Sequence, residues 1–456
     1  MSTRQALRPS LGQLLRQSHP PSPSSRCLHT LPKRPLRRPS TQSLHHQLPR
    51  HRNASTSNFT HNLRTLFRQN PVSISLAALA LLSGVGALIY ANILYQTYIV
   101  GAFHKYPEPV AKKLRKALYY TNTDPQPAEA LKFYKQALEV AAEVGMDPFS
   151  DEVIGVRIQV GKLMEDVGQF GKAAQVLEIS RGDCLEHVRR LEARKAEVVA
   201  GEGSVARRTR ILAKCVAMSV KLGELYGSPE VYDREMAEER LVWAVETVLR
   251  ELQRREGVKA SEGITEEQLV EREGKWMSGS ETGAALESLA HNYEARSQHY
   301  LASPLFLQAL SLYPAKDCHT VVLMNNLASS LAQQSPRAAA AAQAYATSRN
   351  LSNQPTPSAP APAQPAMTRE SLIQNAQTWA QKSLDVAASI RPPERTEECD
   401  VGCAVATHNL GEFAEMLGQR QEARRRYEEA ISIARAVGFQ EGVQQSQERL
   451  RLLQTG

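Results

Sequence analysis

The sequence predicts an all-α fold: a solenoid of helix hairpins that follows a single N-terminal transmembrane helix and a disordered presequence. Three observations support this prediction. Apolar residues recur at intervals of three and four along the body of the chain, glycines separate the segments, and no alternating strand pattern is sustained. One uncharged stretch is long enough to cross a bilayer. The segment before it is rich in Arg, Ser, Pro and His and contains no acidic residue.

Residues 1–68 have the composition of a mitochondrial presequence and basic disordered tail, and the first carboxylate of the chain is Glu108. Arg4, Arg8 and Arg16 are interspersed with leucines, as in a short amphipathic helix. A secretory signal is disfavoured, because its apolar stretch would be shorter and nearer the start. A basic tail that binds nucleic acid or anionic lipid is the weaker alternative.

Residues 72–94 form the predicted transmembrane helix. The run from Val72 to Ala91 is uncharged, and a helix of that length extends about 30 Å, the thickness of the bilayer hydrocarbon. Basic residues flank the run on both sides, so the local charges do not decide its orientation. If a presequence directs the N-terminus into the matrix, the body faces the intermembrane space. If the segment is a signal anchor in the outer membrane, the body faces the cytosol.

The body of the chain is mildly acidic. Of the 55 Lys and Arg residues, thirteen precede residue 108, where there is no Asp or Glu, and the remaining 42 are outnumbered by 47 acidic residues. The pI of about 9.1 therefore reflects the N-terminal segment, and it gives no reason to assign nucleic-acid binding to the folded part.

Helix pairs recur in residues 105–333 and 368–456. The clearest copy runs from Leu286 to Pro314, and another begins at Thr407 with the same offsets. The shared positions are Leu289, Ala290, Ala302, Phe306 and Ala309 in the first copy and Leu410, Gly411, Ala423, Tyr427 and Ala430 in the second. This spacing resembles the tetratricopeptide repeat (TPR), with a period near 34 residues. The resemblance implies hairpins in which small residues allow close helix approach and aromatic residues fill the core.

Weaker copies precede the clear ones. One pairs a helix containing Leu114 with a helix containing Tyr134, and the next pairs Gly161 with Leu177. A looser unit follows, around Ile211 to Leu222 and then Leu241, with a connection longer than the repeat allows. A charged segment from about Glu256 to Ser280 comes next, and its Trp276 is predicted to pack against a neighbouring hairpin rather than to anchor a partner.

The segment 334–367 interrupts a further repeat, whose first helix contains Leu327 and whose second contains Ala376. It consists largely of Ala, Pro, Ser and Gln, which cannot bury a core. We expect a disordered insertion of the kind that a surface connection tolerates, and a binding motif is the weaker alternative.

The sequence contains no catalytic motif, so the chain is predicted to be no enzyme, with no cofactor and no metal site. The six cysteines lie at positions 27, 184, 215, 318, 399 and 403, and only Cys399 and Cys403 are close in sequence. A spacing of four on a helix separates Cβ atoms by more than a disulfide prefers, so free thiols are expected.

The predicted binding surface is the groove lined by the first helices of the hairpins. Asn326 and Asn409 occupy the position before the repeat leucine, and an Asn amide can both donate to and accept from an extended peptide backbone. Asn325, His408 and His291 are predicted to border the same groove; plain solvation of these side chains is an equal alternative. The Lys and Arg residues that would hold an acidic chaperone tail are missing from these positions.

The order of parts resembles the fungal mitochondrial inner-membrane TPR adaptors of the i-AAA protease. The similarity is strongest in ILYQTYIVGAFHKYPEPVAKKLRKALYY after the anchor and in RIQVGKLMEDVGQFGKAAQVLE. It implies a non-enzymatic adaptor that binds unfolded inner-membrane or intermembrane-space polypeptides and delivers them to the protease, beside a fellow membrane adaptor. It also implies a single-pass protein of the inner membrane with its C-terminal body in the intermembrane space. A TPR scaffold or assembly factor for a mitochondrial membrane complex, or an outer-membrane import receptor, is the alternative.

Overall fold

A computed structural model of the chain describes residues 68–94, 97, 101–197, 203–314, 317–341, 344 and 368–455. Within these ranges all regular secondary structure is helical. The chain divides into two compact units, Met1–Asp147 and Pro148–Gly456. The predicted presequence, apart from Arg68, lies outside the described residues, so its boundaries stay a prediction.

The amino-terminal unit contains helix α1 (Pro71–Leu94), which is long and apolar enough to cross a membrane by its length and composition. Its mean hydropathy over an 18-residue window is 2.2, and none of that window is buried inside the protein. A water-soluble core helix of this composition would be covered by other elements. The exposed apolar surface of α1 is therefore what a lipid-facing helix presents.

Two further helices of this unit, α2 (Glu108–Leu118) and α3 (Pro127–Glu143), pack as a hairpin. Leu114 and Ala117 on α2 and Tyr134 and Ala137 on α3 are buried between them. A short π-helical turn, Tyr119–Thr123, connects the two helices. The early repeat copy is thus formed at the residues that the sequence pattern indicates.

The carboxyl-terminal unit is a TPR-like solenoid, in which each long helix packs against the next long helix along the chain, while one short helix, Glu266–Glu273, packs mainly against the helix Gly203–Gly227. Its helices are α4 (Asp151–Asp166), α5 (Phe170–Glu197), α6 (Gly203–Gly227), α7 (Arg234–Glu262), α8 (Glu266–Glu273), α9 (Gly279–Ala295), α10 (His299–Leu312), α11 (Cys318–Gln333), α12 (Arg369–Ser389), α13 (Glu397–Met416), α14 (Arg420–Ala436) and α15 (Gln440–Thr455).

The two clearest repeat copies form the hairpins α9–α10 and α13–α14. Phe306 and Tyr427 are completely buried in them. Gly411 lies directly beneath the Tyr427 ring, where an added Cβ would be 2.8 Å from two ring carbons. The hairpin α13–α14 turns at Gly418, whose φ of 74° is the left-handed conformation that glycine adopts without steric cost.

The charged segment 256–280 is more ordered than an excursion from the solenoid. Helix α7 continues into it as far as Glu262, and α8 occupies its middle. Trp276 is buried against Val216 and Val248, which confirms the prediction that it packs against a neighbouring hairpin. An ion pair also holds the segment against the solenoid, because the buried Glu273 pairs with Arg254 of α7.

The predicted insertion 334–367 is described only up to residue 341 and at residue 344. Residues 336–341 are helical and Ala339 is buried, so this stretch differs from the expectation of disorder. Alanine has the highest helix propensity of all residues, and the stretch is a run of alanines that follows Arg337. The rest of the insertion lies outside the described residues, and its disorder stays a prediction.

The cysteines depart from the expectation of free thiols. Cys318 at the start of α11 and Cys399 at the start of α13 form a disulfide, with Cα atoms 4.7 Å apart. The partners are separated by 81 positions, so a comparison of neighbouring cysteines in the sequence cannot find them. Cys184, Cys215 and Cys403 are free thiols, as expected, and Cys27 lies outside the described residues.

Candidate functional site

Four helices of the carboxyl-terminal unit, α9, α11, α13 and α15, form a row in which each is joined to the next by a polar contact; we name it the first-helix row. A histidine takes part in every one of these contacts. The contacts are His291 Nε2 to Asn326 Nδ2 (3.4 Å) between α9 and α11, His319 Nδ1 to Glu398 Oε1 (2.8 Å) between α11 and α13, and His408 Nδ1 to Ser446 Oγ (2.9 Å) between α13 and α15.

His319 joins three helices of the row at once. Its Nε2 lies 2.9 Å from Oε2 of Glu287 on α9, while its Nδ1 faces Glu398 on α13. The hydrogen bond to Glu287 and that to Glu398 raise the pKa of His319 to about 9, although burial opposes the charge. The imidazolium form can donate from both ring nitrogens. At neutral pH His319 is therefore a cation held between two carboxylates.

The Glu287 carboxylate is shared between two histidines. Burial raises its pKa, but hydrogen bonds with His291 and His319 outweigh that effect and lower the pKa to about 2. Partial burial likewise opposes charge on His291, and Glu287 and Glu294 nevertheless raise the pKa of His291 to about 9. The edge of the His291 ring lies against Phe306, with ring centroids 5.1 Å apart, so the core of the α9–α10 hairpin positions it.

The five predicted site residues differ in how far the structure exposes them. His291 and Asn326 lie together, and both are accessible on the first-helix row. His408 is covered in part by α15 through Ser446, and its ring contacts Tyr427. Asn409 is 8% exposed, which leaves little of its amide available to a partner.

Asn325 is a correction to the predicted groove. The side chain is 2% exposed, its Nδ2 donates to the carbonyl of Gly402 at 2.9 Å, and its Oδ1 accepts from Ser383 Oγ at 2.7 Å. Because it joins α11 to α12 and α13 inside the core, Asn325 cannot face a bound peptide. Neighbouring positions on a helix differ by about 100°, so Asn325 and Asn326 point to different sides.

Sequence reasoning did not predict the contacts of this surface that join Glu287, His319 and Glu398. One signal was available: Glu287 and His291 are four positions apart on one helix, where side chains meet. The contacts of His319 with α9 and α13 join residues 32 and 79 positions away, and no local pattern indicates them. The surface offers cationic hydrogen-bond donors on its histidines and anionic acceptors on its glutamates. Among the described residues no group of three or more His, Cys, Asp or Glu side chains is placed to hold a metal ion.

Comparisons with known proteins give the following similarities. No protein-family model matches the chain. It is 26% identical over 342 residues to a TPR repeat-containing protein of Schizosaccharomyces pombe, a match that covers 74% of this chain and 76% of the relative. A match to an MRG3-like protein of Saccharomyces cerevisiae is 29% identical over 106 residues, 23% of this chain, and the chain spans only 21% of that relative.

Among solved structures, the TPR-like repeats of a putative kinesin light chain from Podosopora anserina match 62% of this chain and 96% of their own. The identity is 15% and the TM-score is 0.34, which is too low to carry an argument. The TPR-like fold is seen in the helix hairpins themselves. The fission-yeast relative, which is described as containing TPR repeats, is similar to this chain over 74% of this chain's length. The described residues thus form a TPR-like helical-repeat fold, and the apolar helix α1 precedes the repeats.

Proposed function

We propose that this chain is a membrane-anchored, non-enzymatic TPR adaptor that binds unfolded inner-membrane or intermembrane-space polypeptides and delivers them to the i-AAA protease. The observation that carries the proposal is the first-helix row, where His291 and Asn326 lie side by side on adjacent helices and remain accessible. The Asn326 amide can both donate to and accept from an extended backbone, and the His291 imidazolium can donate to it, so neither group selects a side chain. TPR repeats are typically binding scaffolds, and the delivery to the protease follows from the resemblance of the anchor segment.

The disulfide supports a location outside the cytosol. Disulfides persist in oxidising compartments and are rare in cytosolic proteins, where thiols are kept reduced. Cys318 and Cys399 are joined across two helices of the row. This bond favours a body in the intermembrane space over an outer-membrane import receptor that faces the cytosol. The carboxylates of Glu287 and Glu398 also disfavour the acidic chaperone tails that such receptors bind.

The proposal is tested with the full chain in lipid nanodiscs and a permanently unfolded probe, such as a reduced and carboxymethylated globular protein. We expect saturable binding by fluorescence anisotropy. Replacing Asn326 by Ala together with His291 by Ala removes two hydrogen-bonding groups and should weaken binding about tenfold. The matched control is Gln381→Ala on the second helix α12, whose exposed amide donates to Asp385 at 3.1 Å; this change should leave binding unchanged.

The alternative function is a scaffold with one fixed partner. A chain that ignores unfolded probes but retains a single stoichiometric partner after gentle solubilisation would support the scaffold and contradict the adaptor. In cells, loss of the chain should slow the turnover of an unfolded inner-membrane reporter, and unchanged turnover would contradict delivery to the protease. Protease added to intact and to outer-membrane-ruptured mitochondria tests the location, since the body should become accessible only after rupture.

A further inference from the structure

A strongly basic face lies on α2, close along the chain to the apolar helix α1. Between residues 101 and 120 there are five Lys and Arg residues and a single acidic residue, Glu108. Glu108 is paired with Arg115 at 2.7 Å. The lysines of this stretch, which we name the basic juxtamembrane face, are not balanced by any other carboxylate of the stretch. They are Lys105, Lys112, Lys113 and Lys116.

The orientation of α2 keeps this face outward. Val110, Ala111, Leu114 and Ala117 are buried towards α3. At 100° per residue, positions 112 and 116 fall on the opposite side of the helix, and both lysines are exposed. Both lysines therefore lie at the surface of the hairpin, where they can meet another surface, although Lys116 Nζ also lies 5.3 Å from the centroid of the Phe133 ring on α3.

The chain length limits where that surface can be. Thirteen residues, 95–107, connect the end of α1 to the start of α2. Fully extended, they reach at most about 45 Å. With α1 in a bilayer, α2 is confined to the neighbourhood of one membrane surface, and such confinement greatly raises the effective concentration of each partner for the other.

Aromatic side chains accompany the lysines. Tyr119 at the end of α2 is 49% exposed, and Phe103 and Tyr106 form a tilted ring pair before the helix. Tyr and Trp are enriched where proteins meet the headgroup region, because their rings are apolar and their tips polar. Lysines with adjacent aromatic residues match an anionic bilayer surface better than they match the side of an acidic protein.

We propose that the basic juxtamembrane face binds the anionic headgroups of the bilayer that α1 crosses, so that the α2–α3 hairpin lies on the membrane surface. The proposal rests on the membrane anchoring proposed above. Clusters of Lys and Arg next to a membrane helix bind anionic lipid through their summed charge, and the attraction weakens as salt screens it. A phosphate-bearing lipid headgroup is the ligand, and no particular lipid species is required.

The test uses the full chain in nanodiscs of phosphatidylcholine, with or without phosphatidylglycerol. The rate at which a neutral acylating reagent modifies Lys112 and Lys116 is followed by mass spectrometry. In discs that contain phosphatidylglycerol we expect a several-fold slower modification of both lysines, and high salt should reverse it. Lys382 on α12 is an exposed internal control and should react equally in both disc types. Lys112→Gln should restore part of the reactivity of Lys116, whereas Lys382→Gln should not.

Three results would overturn the proposal. The first is equal reactivity of Lys112 and Lys116 in the two disc types while α1 is inserted, which leaves the membrane anchoring intact. The second is protection that appears only when an acidic protein is added. The third is a chain that fails to insert into discs of either composition, which would overturn the anchoring as well.

Discussion

Two pairs of cysteines lie between packed helices of the carboxyl-terminal unit, and one pair is bonded while the other is not. Cys318 and Cys399 form the disulfide between α11 and α13. Cys184 of α5 and Cys215 of α6 are both fully buried as free thiols that hydrogen-bond to each other. That hydrogen bond lowers the pKa of Cys184, and together with burial it raises the pKa of Cys215.

The ion pairs around the two cysteine pairs also differ in how readily the environment changes them. Helices α9 to α13 are held by histidine–carboxylate contacts centred on His319, beside the disulfide. Helices α6 to α8 are held by arginine–carboxylate contacts, in which the buried Glu251 accepts from Arg208 at 3.0 Å and from Arg254 at 2.6 Å. The region of α9 to α13 thus depends on a disulfide that reductant can break and on histidine charges that change with pH. The region of α6 to α8 depends on arginine charges that persist across the physiological pH range.

The largest difference between the regions should appear on reduction. Replacing Cys318 and Cys399 by Ser opens a loop between residues 81 positions apart. We expect the free energy of unfolding to fall by about 2–4 kcal/mol, measured by urea unfolding, because the unfolded chain regains conformational freedom. Reductant should have the same effect on the native chain and none on the variant.

The control for this prediction is the other pair. Cys184→Ala and Cys215→Ala lose only small buried side chains, and their variants should remain as sensitive to reductant as the native chain. Equal stability of the native chain with and without reductant would contradict the structural role of the disulfide.

A smaller difference should appear at alkaline pH. The pKa of His319 is raised to about 9 in the folded chain, from an ordinary value near 6.5, so its protonation stabilises the folded state fully below about 6.5. That stabilisation is lost as the pH rises through 9. We expect a loss of about 1–2 kcal/mol, reduced from the full linkage value because the imidazole is partly exposed.

The pH effect is measured as the urea midpoint across this range, with hydrogen exchange to locate it. His319→Gln should flatten the profile in part, since His291 also has a pKa raised to about 9 and still titrates in this range. Exchange should increase in α9, α11 and α13 but not around Glu251, whose arginine partners stay charged. A native profile parallel to that of His319→Gln would show that the bridge contributes nothing.

The smallest expected change in stability comes from adding a methyl group at a glycine where the two helices of a hairpin meet. At Gly411 a methyl group would be 2.8 Å from the Tyr427 ring, which cannot yield easily because its hydroxyl donates to Glu415 at 2.8 Å. We expect Gly411→Ala to destabilise the chain by about 1 kcal/mol, as overpacking exceeds the gain in helix propensity.

At Gly161 the methyl group would be 3.1 Å from Cδ2 and Cγ of Leu177, which needs to shift by only a few tenths of an ångström. Gly161→Ala should therefore be close to neutral, because the gain in helix propensity offsets this shift. Gly155 on the same helix has open space and is the control; Gly155→Ala should stabilise by about 0.5–1 kcal/mol in thermal unfolding. A stabilising Gly411→Ala would mean that the tyrosine ring can move aside.

The sequence predicted the regular hairpins because their cores obey a period. Ala302, Phe306 and Tyr427 are buried where the repeat spacing places them. The segment around Glu251 and Glu273 carries no such period, and it is held by ion pairs with arginines on another helix and by the buried Trp276. Composition alone indicated an excursion there.

The candidate site could be predicted only in part for a similar reason. Helical spacing placed His291 and Asn326 on one surface, and their side chains lie 3.4 Å apart, but it could not distinguish Asn325, which turns into the core and bonds to Gly402. The His319 bridge and the disulfide join helices that are far apart in the chain. Such pairings depend on how hairpins stack, and a single sequence contains no direct signal for them.

Because of the disulfide, the two halves of the body would stay covalently joined even if the segment between α11 and α12 were cut. Residues 334–367 lie inside the loop that Cys318 and Cys399 close. A protease that cut this segment once would leave both halves of the body joined through the disulfide. The cut protein would run as one band on a non-reducing gel and as two fragments after reduction. The row of helices would therefore survive a nick, and fragments would separate only where thiols are reduced.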